Sequence, residues 1–207
     1  MFNTAIFLGP SLDTAAALAI LNATYLPPIK RGDLSQLSRE IKTVGIIDGE
    51  FYQNLAVSPK EVLQLLNRGI KVYGSSSTGA LRAAETHIYG MVGIGAIFEM
   101  YRDELIDADD EVALTYDQDS YRPSSEPLIN IRFALKAAVL EGLIPEFVAD
   151  GIIKEIKALY FPFRSYRLVV QRFPKLKSFI EKNGPNQKRD DAKLLLQTIA
   201  RAGRDRL

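Results

Sequence analysis

The 207-residue chain contains no cysteine. Disulfides, zinc–thiolate sites and cysteine nucleophiles are excluded at once, and nothing can be read about redox compartment. Histidine is nearly as scarce. His87 is the single one, so a histidine-built metal site is not expected. The stretch MFNTAIFLGPSLD lacks a basic region and a long apolar run, and does not read as a signal peptide. No window approaches the length of a membrane span. The expectation is a soluble, cytoplasmic protein with no metal and no cofactor. A phosphate loop of the form G-x-x-x-x-G-K-[ST] is also missing, which argues against nucleotide hydrolysis. There is no internal repeat and no low-complexity tract.

What is present is enough apolar material, 47% of residues, to bury a sizeable core. Net charge is only +1 but unevenly spread: from Arg164 onward 12 basic residues face 4 acidic ones, a balance of +8 against −7 for the rest. Such a tail either meets an acidic surface, on this chain or a partner, or forms a solvated helical face. It carries no recognised nucleic-acid motif, and nucleic acid is not an expected partner.

Short apolar runs alternate with helical patterns. TAIFLG, ATYLPP, TVGIIDG and IKVYG read as strands. DTAAALAILN, with Ser11 or Asp13 as cap, and KRGDLSQLSREIKT, with Asp33 as cap, read as helices. SPKEVLQLLNRG has the clearest signals: Ser58 as cap, Pro59 at the first position, Glu61 closing a capping box and Gly69 as terminator. This order predicts an α/β fold, a Rossmann-like and mostly parallel sheet with flanking helices, over residues 1–120. After residue 90 come an amphipathic helix, IGAIFEMYRDEL, and an acidic turn leading to a possible strand in DADDEVALTYDQDS. Residues 121–207 read as an α-helical C-terminal region, broken at Gly142, near Phe161-Pro162 and at Asn183-Gly184-Pro185.

Right-handed crossovers put the C-terminal ends of parallel strands on one edge, where ligands bind. Three segments should therefore meet there: GPS (9–11), IDGEF (47–51) and GSSSTG (74–79). The last joins a strand to a helix as a nucleophile's elbow does, but not with G-x-S-x-G spacing. His87 lies a helix-length from Ser77, roughly 15 Å at 1.5 Å per residue, so a conventional triad is rejected. His87 reads instead as a helix C-terminal residue. The alternative is an anion cradle of backbone N–H groups, serine hydroxyls and close-approach glycines. Arg82, four residues after Thr78, either reaches that cradle or pairs with Glu85 on its own helix. Asp48 is either a ligand-edge acid or a loop cap. Arg31 in KRGDL is either a site cation or part of a turn.

These segments in order resemble the TfuA-like family: FLGPSL (7–12), PPIKRGDL (27–34), GIIDGEF (45–51), VYGSSSTGALRAAE (72–85), YGMVGIGAIFEMYRD (89–103), DDEVAL (109–114), YRPSSEPLINIR (121–132) and, more weakly, QKRDDA (187–192). The family pattern G-x-x-S-M-G-A-L-R-A-A-E is met at Ser77, Gly79, Ala80, Leu81, Arg82 and Glu85, while Thr78 replaces the usual methionine. The resemblance implies an accessory protein of YcaO-dependent backbone thioamidation. It would hydrolyse the C-terminal thiocarboxylate of a ubiquitin-like sulfur-carrier protein and pass sulfide to the YcaO enzyme, which itself uses ATP. The expected catalytic residues are Ser77, Arg82 and Asp48. Ser77 is ranked as a hydrogen-bond donor above a nucleophile, for want of a histidine base. Ser11, Arg31, Ser76, Gly79, Glu85 and Arg122 are the expected anion- or substrate-binding residues; Arg122 lies in a polar loop, Tyr121–Glu126, suited to gripping an extended tail. The alternative is a non-catalytic adaptor that binds and activates the YcaO enzyme.

Overall fold

A computed structural model describes residues 3–51 and 55–204. The chain forms two compact units: one runs to Asp109 and resumes at Lys188, and the other is Asp110–Gln187. The strands are β1 (Thr4–Phe7), β2 (Thr24–Leu26), β3 (Thr43–Ile46), β4 (Lys71–Ser75) and β5 (Val92–Ile94). The helices are α1 (Thr14–Leu18), α2 (Asp33–Gln36), α3 (Pro59–Asn67), α4 (Thr78–Thr86), α5 (Ala96–Arg102), α6 (Leu128–Leu140), α7 (Glu146–Lys157), α8 (Tyr166–Arg172), α9 (Lys177–Asn183) and α10 (Gln187–Arg204).

The first unit is an α/β domain. Its sheet is five-stranded and wholly parallel, in the order β2-β1-β3-β4-β5. Side chains alternate across it. Ile6, Leu8, Ile47 and Tyr73 share a core with Ala17 of α1 and with Ala192, Leu195, Leu196 and Ile199 of α10. Gly45 lets that last helix close in, since a Cβ there would stand 2.6 Å from Ile6 and 3.2 Å from Leu195.

The local signals mostly act as expected. Asp13 caps α1, its Oδ1 accepting from Ala15 N at 2.9 Å and Ala16 N at 3.2 Å. Ser58 and Glu61 form the full capping box of α3. Asp33 does not cap: Gly32 takes the cap position at φ +93, and Asp33 instead accepts from Lys30 N at 2.7 Å. The helix there is a single turn. β5 is absent from the sequence reading because Val-Gly-Ile is too short and too glycine-rich to stand out. The possible strand in DADDEVALTYDQDS is not one. Tyr116 makes a single antiparallel bridge to Pro123, and proline has no N–H to extend a ladder.

The second unit is helical, α6–α9 packed around Leu128, Ile131, Leu135, Ile152, Ile156, Val169 and Leu176. Breaks fall at Gly142, at Phe161-Pro162 and at Gly184 as expected, and one more, at Pro174–Leu176 between α8 and α9, was not expected. Two buried charges pin it. Glu111 takes two 2.8 Å bonds from Arg132. Arg164, 1% exposed, donates to Asp110 O at 2.7 Å and to Asp110 Oδ2 at 2.5 Å.

Candidate functional site

In the order β2-β1-β3-β4-β5 the chain leaves β1 to one side and then returns to the other. The connections after β1 and β3 therefore diverge, opening the crevice at which doubly wound sheets bind ligands. β4 pairs beside β3, so the loops after β1, β3 and β4 are neighbours. The three edge segments do meet.

Asp48, 2% exposed, is the hub. Its Oδ2 accepts from Gly9 N and from Ser11 N, each at 3.0 Å. Its Oδ1 accepts from Ser11 Oγ at 2.6 Å. Ser76 Oγ donates to Ser11 Oγ at 2.8 Å. A chain of hydroxyls thus runs from β4 to β1 and ends on a carboxylate at the tip of β3.

Ser76 and Ser77 make the sharp bend between β4 and α4. Ser76 has φ +66, the left-handed region that side chains other than glycine's rarely adopt. The bend lets α4 press on the end of β3, and a Cβ on Gly79 would clash with Ile46 O. Thr78 Oγ1 donates to Gly49 O at 3.2 Å and ties the two loops, so the departure from the family's methionine is absorbed by a hydrogen bond. Ser77 occupies the cap position but makes no side-chain cap bond. Its Oγ instead accepts from Lys188 Nζ at 3.0 Å. The same ammonium stands 3.9 Å from Asp48 Oδ1. Lys188 is 2% exposed and Ser77 1%.

Lys188 is the member the sequence reading missed. It comes from α10, where Asp191 also turns inward and caps α5, accepting from Ala96 N at 3.2 Å and Ile97 N at 2.8 Å. Lys188, Asp191, Ala192, Leu195, Leu196 and Ile199 are all buried. Their spacing is one helical stripe, so the apolar residues of that stripe mark the two charged ones as inward-facing.

The other expected residues lie as follows. Arg82 pairs with Glu85 on α4; its Nε is buried without a partner, as is Ser75 Oγ at the end of β4. Two N–H groups of the expected cradle are engaged by carbonyls: Ser77 N donates to Ser75 O at 2.7 Å and Gly79 N to Ile47 O at 3.3 Å. Arg31 is exposed and its charge acts on Glu61. Arg122 belongs to the second unit, where its carbonyl closes a turn with Asp117 N at 3.0 Å. His87 ends α4 with Nδ1 on Ala84 O at 2.9 Å. A groove of about 700 Å³, walled by Phe7, Leu26, Pro27, Pro28, Leu37 and Ile41, includes none of the Asp48–Ser77–Lys188 cluster. Among the described residues no three His, Asp or Glu side chains stand together as a metal site, and no helix is long and apolar enough to cross a membrane.

The model of TfuA-like proteins matches residues 48–165. The chain belongs to the TfuA-like family. Membership supports a role in the thioamidation system, in which TfuA-like proteins are associated with YcaO partners. Comparison with curated proteins finds no match. In this TfuA-like protein the matched stretch opens on Asp48 and holds Ser76 and Ser77. Ser11 and Lys188, which complete the cluster, lie outside it.

Proposed function

We propose that this TfuA-like protein hydrolyses the C-terminal thiocarboxylate of a ubiquitin-like sulfur-carrier protein in the cytoplasm and so supplies sulfide to its YcaO partner. The observation that carries the reading is the buried Ser11–Asp48–Ser76–Ser77 cluster at the topological switch point. In the reaction the carbon–sulfur bond breaks, a carbon–oxygen bond forms from water, and sulfide leaves. A thiocarboxylate is already anionic, so the site must stabilise a second charge as the tetrahedral intermediate forms. The start of α4, the unengaged donors Ser75 Oγ and Arg82 Nε and the hydroxyls of Ser76 and Ser77 are the groups suited to that task. Arg31 and Arg122, both exposed, suit an acidic carrier surface.

The purified protein, given a thiocarboxylated carrier, should convert it to the carboxylate with release of sulfide. A carrier that keeps its sulfur at the uncatalysed rate contradicts the reading.

One observation favours the adaptor alternative. Tyr160 and Phe163 are 60% and 70% exposed, with the Phe161 ring 4.9 Å from that of Tyr160, an apolar aromatic surface of the kind that marks interaction sites. The two readings separate when sulfide is supplied in solution. A hydrolase is then bypassed, and the YcaO enzyme works without it. An adaptor is still required, and Ser77→Ala serves as well as wild type.

A further inference from the structure

We infer that the groove beside β1 and β2 is the subsite for the apolar residues of the carrier's extended C-terminal tail, just upstream of its reactive end. The identity of the occupant rests on the hydrolase reading above; the groove itself rests on the fold.

The groove exists because a crossover is cut short. Phe7, Ile46 and Gly74 are in register across β1, β3 and β4 and so share one face of the sheet. Over β4 that face is closed by α4, since a Cβ on Gly74 would run into Gly79 O. Over β1 and β2 the cover should come from the β2–β3 crossover, where the sequence predicts a helix through KRGDLSQLSREIKT. Only the four residues of α2 are helical there. Leu37 leaves that turn with extended backbone, φ −62 and ψ 136, and the strands beneath stay partly uncovered. A groove of about 700 Å³ remains, within the size range of ligand sites. Its floor is Ala5 and Phe7 of β1 paired with Thr24 and Leu26 of β2. Leu37 and Ile41 of the crossover supply the rest of the apolar lining.

The surroundings select a chain end as the occupant. Pro28, at one end of the lining, packs on Gly9: a Cβ on Gly9 would run into the Pro28 ring and stand 3.5 Å from Asp48 Cβ. Gly9 N is bonded to Asp48 Oδ2 at 3.0 Å, and Ile29 N donates to Asp48 O at 2.9 Å. The groove therefore ends against the residues that carry the Asp48 cluster. Among the described residues β2 pairs with no strand on its outer side. Leu26 O accepts from Leu8 N of the inner neighbour, so the N–H and C=O of Tyr25 point outward, where an extended chain can pair with them. A chain laid parallel to β2 brings its C-terminus to the edge where Asp48 stands. Lys30, exposed, lines that end and offers a positive charge to an anionic terminus. The Asp33 carboxylate beside it is turned onto Lys30 N at 2.7 Å.

Contacts remote from the reacting carbon are the same in ground and transition state, so losing them raises KM and leaves kcat. The test uses the full-length protein and the carrier in its carboxylate form, which binds without reacting. A benzoylphenylalanine placed in the carrier's tail is irradiated in the complex, and the crosslinks are mapped by mass spectrometry. They should fall on residues 24–26 or 37–41. Thr24→Arg, at an exposed position, and Leu37→Arg, at a half-buried one, should each weaken carrier binding by about tenfold or more in calorimetry. Each should raise KM for sulfide release by a similar factor, with kcat within about twofold. Leu18→Arg, on an exposed position of α1 at the other face of the sheet, should change neither. Wild-type crosslinking alone decides the place, so a poorly folded variant does not shelter the inference. Crosslinks elsewhere, or unchanged affinity in a folded Thr24→Arg protein, overturns it. So does an apolar dye, anilinonaphthalene sulfonate, that occupies the groove and is not displaced by the carrier. A tail mapped to the groove with no sulfide released removes the hydrolase reading and leaves the subsite standing. Sulfide released with the tail mapped elsewhere does the reverse.

Discussion

Two consecutive serines at the end of β4 point to different partners, Ser76 to the Ser11–Asp48 chain and Ser77 to Lys188. The bend that separates them depends on α4 lying against β3. Gly79→Ala should cost about 1–3 kcal/mol by overpacking Ile46 O, seen as a lower urea midpoint; an unshifted midpoint would show that the contact is not required. Asp48→Asn keeps the size but loses the charge that gathers Gly9 N, Ser11 and Lys188, and hydrogen bonds to charged groups contribute about 1.5–3 kcal/mol each. Its expected outcome is a lower Tm together with at least a tenfold loss of sulfide release. Full activity would mean that the carboxylate plays no part in placing Ser11 or Lys188. The places of Asp48 and Ser77 at the strand-end edge were legible in the sequence because Asp48 ends the apolar run GII and is followed by Gly49, and Ser77 lies in the run of small polar residues between Gly74 and Gly79 that joins a strand to a helix. Lys188 was not, being distant in sequence and set in a basic stretch that reads as a solvated face. The inward stripe of α10 was the available signal, and it requires knowing that α10 packs on the sheet.

At the scale of elements, α3 and α10 show what local chemistry does and does not fix. α3 was readable from Ser58, Pro59 and Glu61, whose capping box is formed. Burial pushes the Glu61 carboxyl upward, but bonds from Ser58 N, Gly32 N and Ser58 Oγ, with the Arg31 charge, hold it below its ordinary value of 4.5. A carboxyl lowered in the folded state contributes stability above its unfolded value and loses it as pH falls through the folded one. The Tm gap between wild type and Glu61→Gln should thus be present at neutral pH and shrink as pH drops below about 4.5. A gap constant down to pH about 2 would contradict the assignment. Ser58→Ala should cost about 1 kcal/mol. α10 has tertiary causes instead. Leu195, fully buried against the sheet, should cost about 2–5 kcal/mol when cut to alanine, measured by denaturant unfolding. α2 and β5 were misjudged or missed because elements of four and three residues carry too few side chains to show a period.

The chain leaves its first unit after Asp109 and comes back to it at Lys188. That return is why the sequence, read from left to right, groups all residues past 120 as one helical region, although α10 completes the core of the first unit. Ending the chain at Gln187 should therefore remove Lys188, uncap α5 and expose the sheet, with loss of cooperative unfolding in the first unit. A truncated protein that still melts cooperatively and still releases sulfide would deny α10 its role. The second unit has its own pins at Glu111 and Arg164. Arg164 is 1% exposed but its partner Asp110 is 36% exposed, so Arg164→Met loses hydrogen bonds rather than stranding a buried charge, about 1.5–3 kcal/mol for the bond to the carboxylate, and should unfold that unit first, as followed by hydrogen exchange. In the proposed function the buried Ser77 at the start of α4 helps release sulfur from a protein thiocarboxylate. The direct measurement is the single-turnover rate of sulfide release from a thiocarboxylated carrier, taken with wild type and with folded Ser77→Ala and no YcaO partner present. The account expects rapid release by wild type and a rate at least about 10²-fold lower for Ser77→Ala; equal rates for the two, or no release above the uncatalysed rate by either, would contradict it.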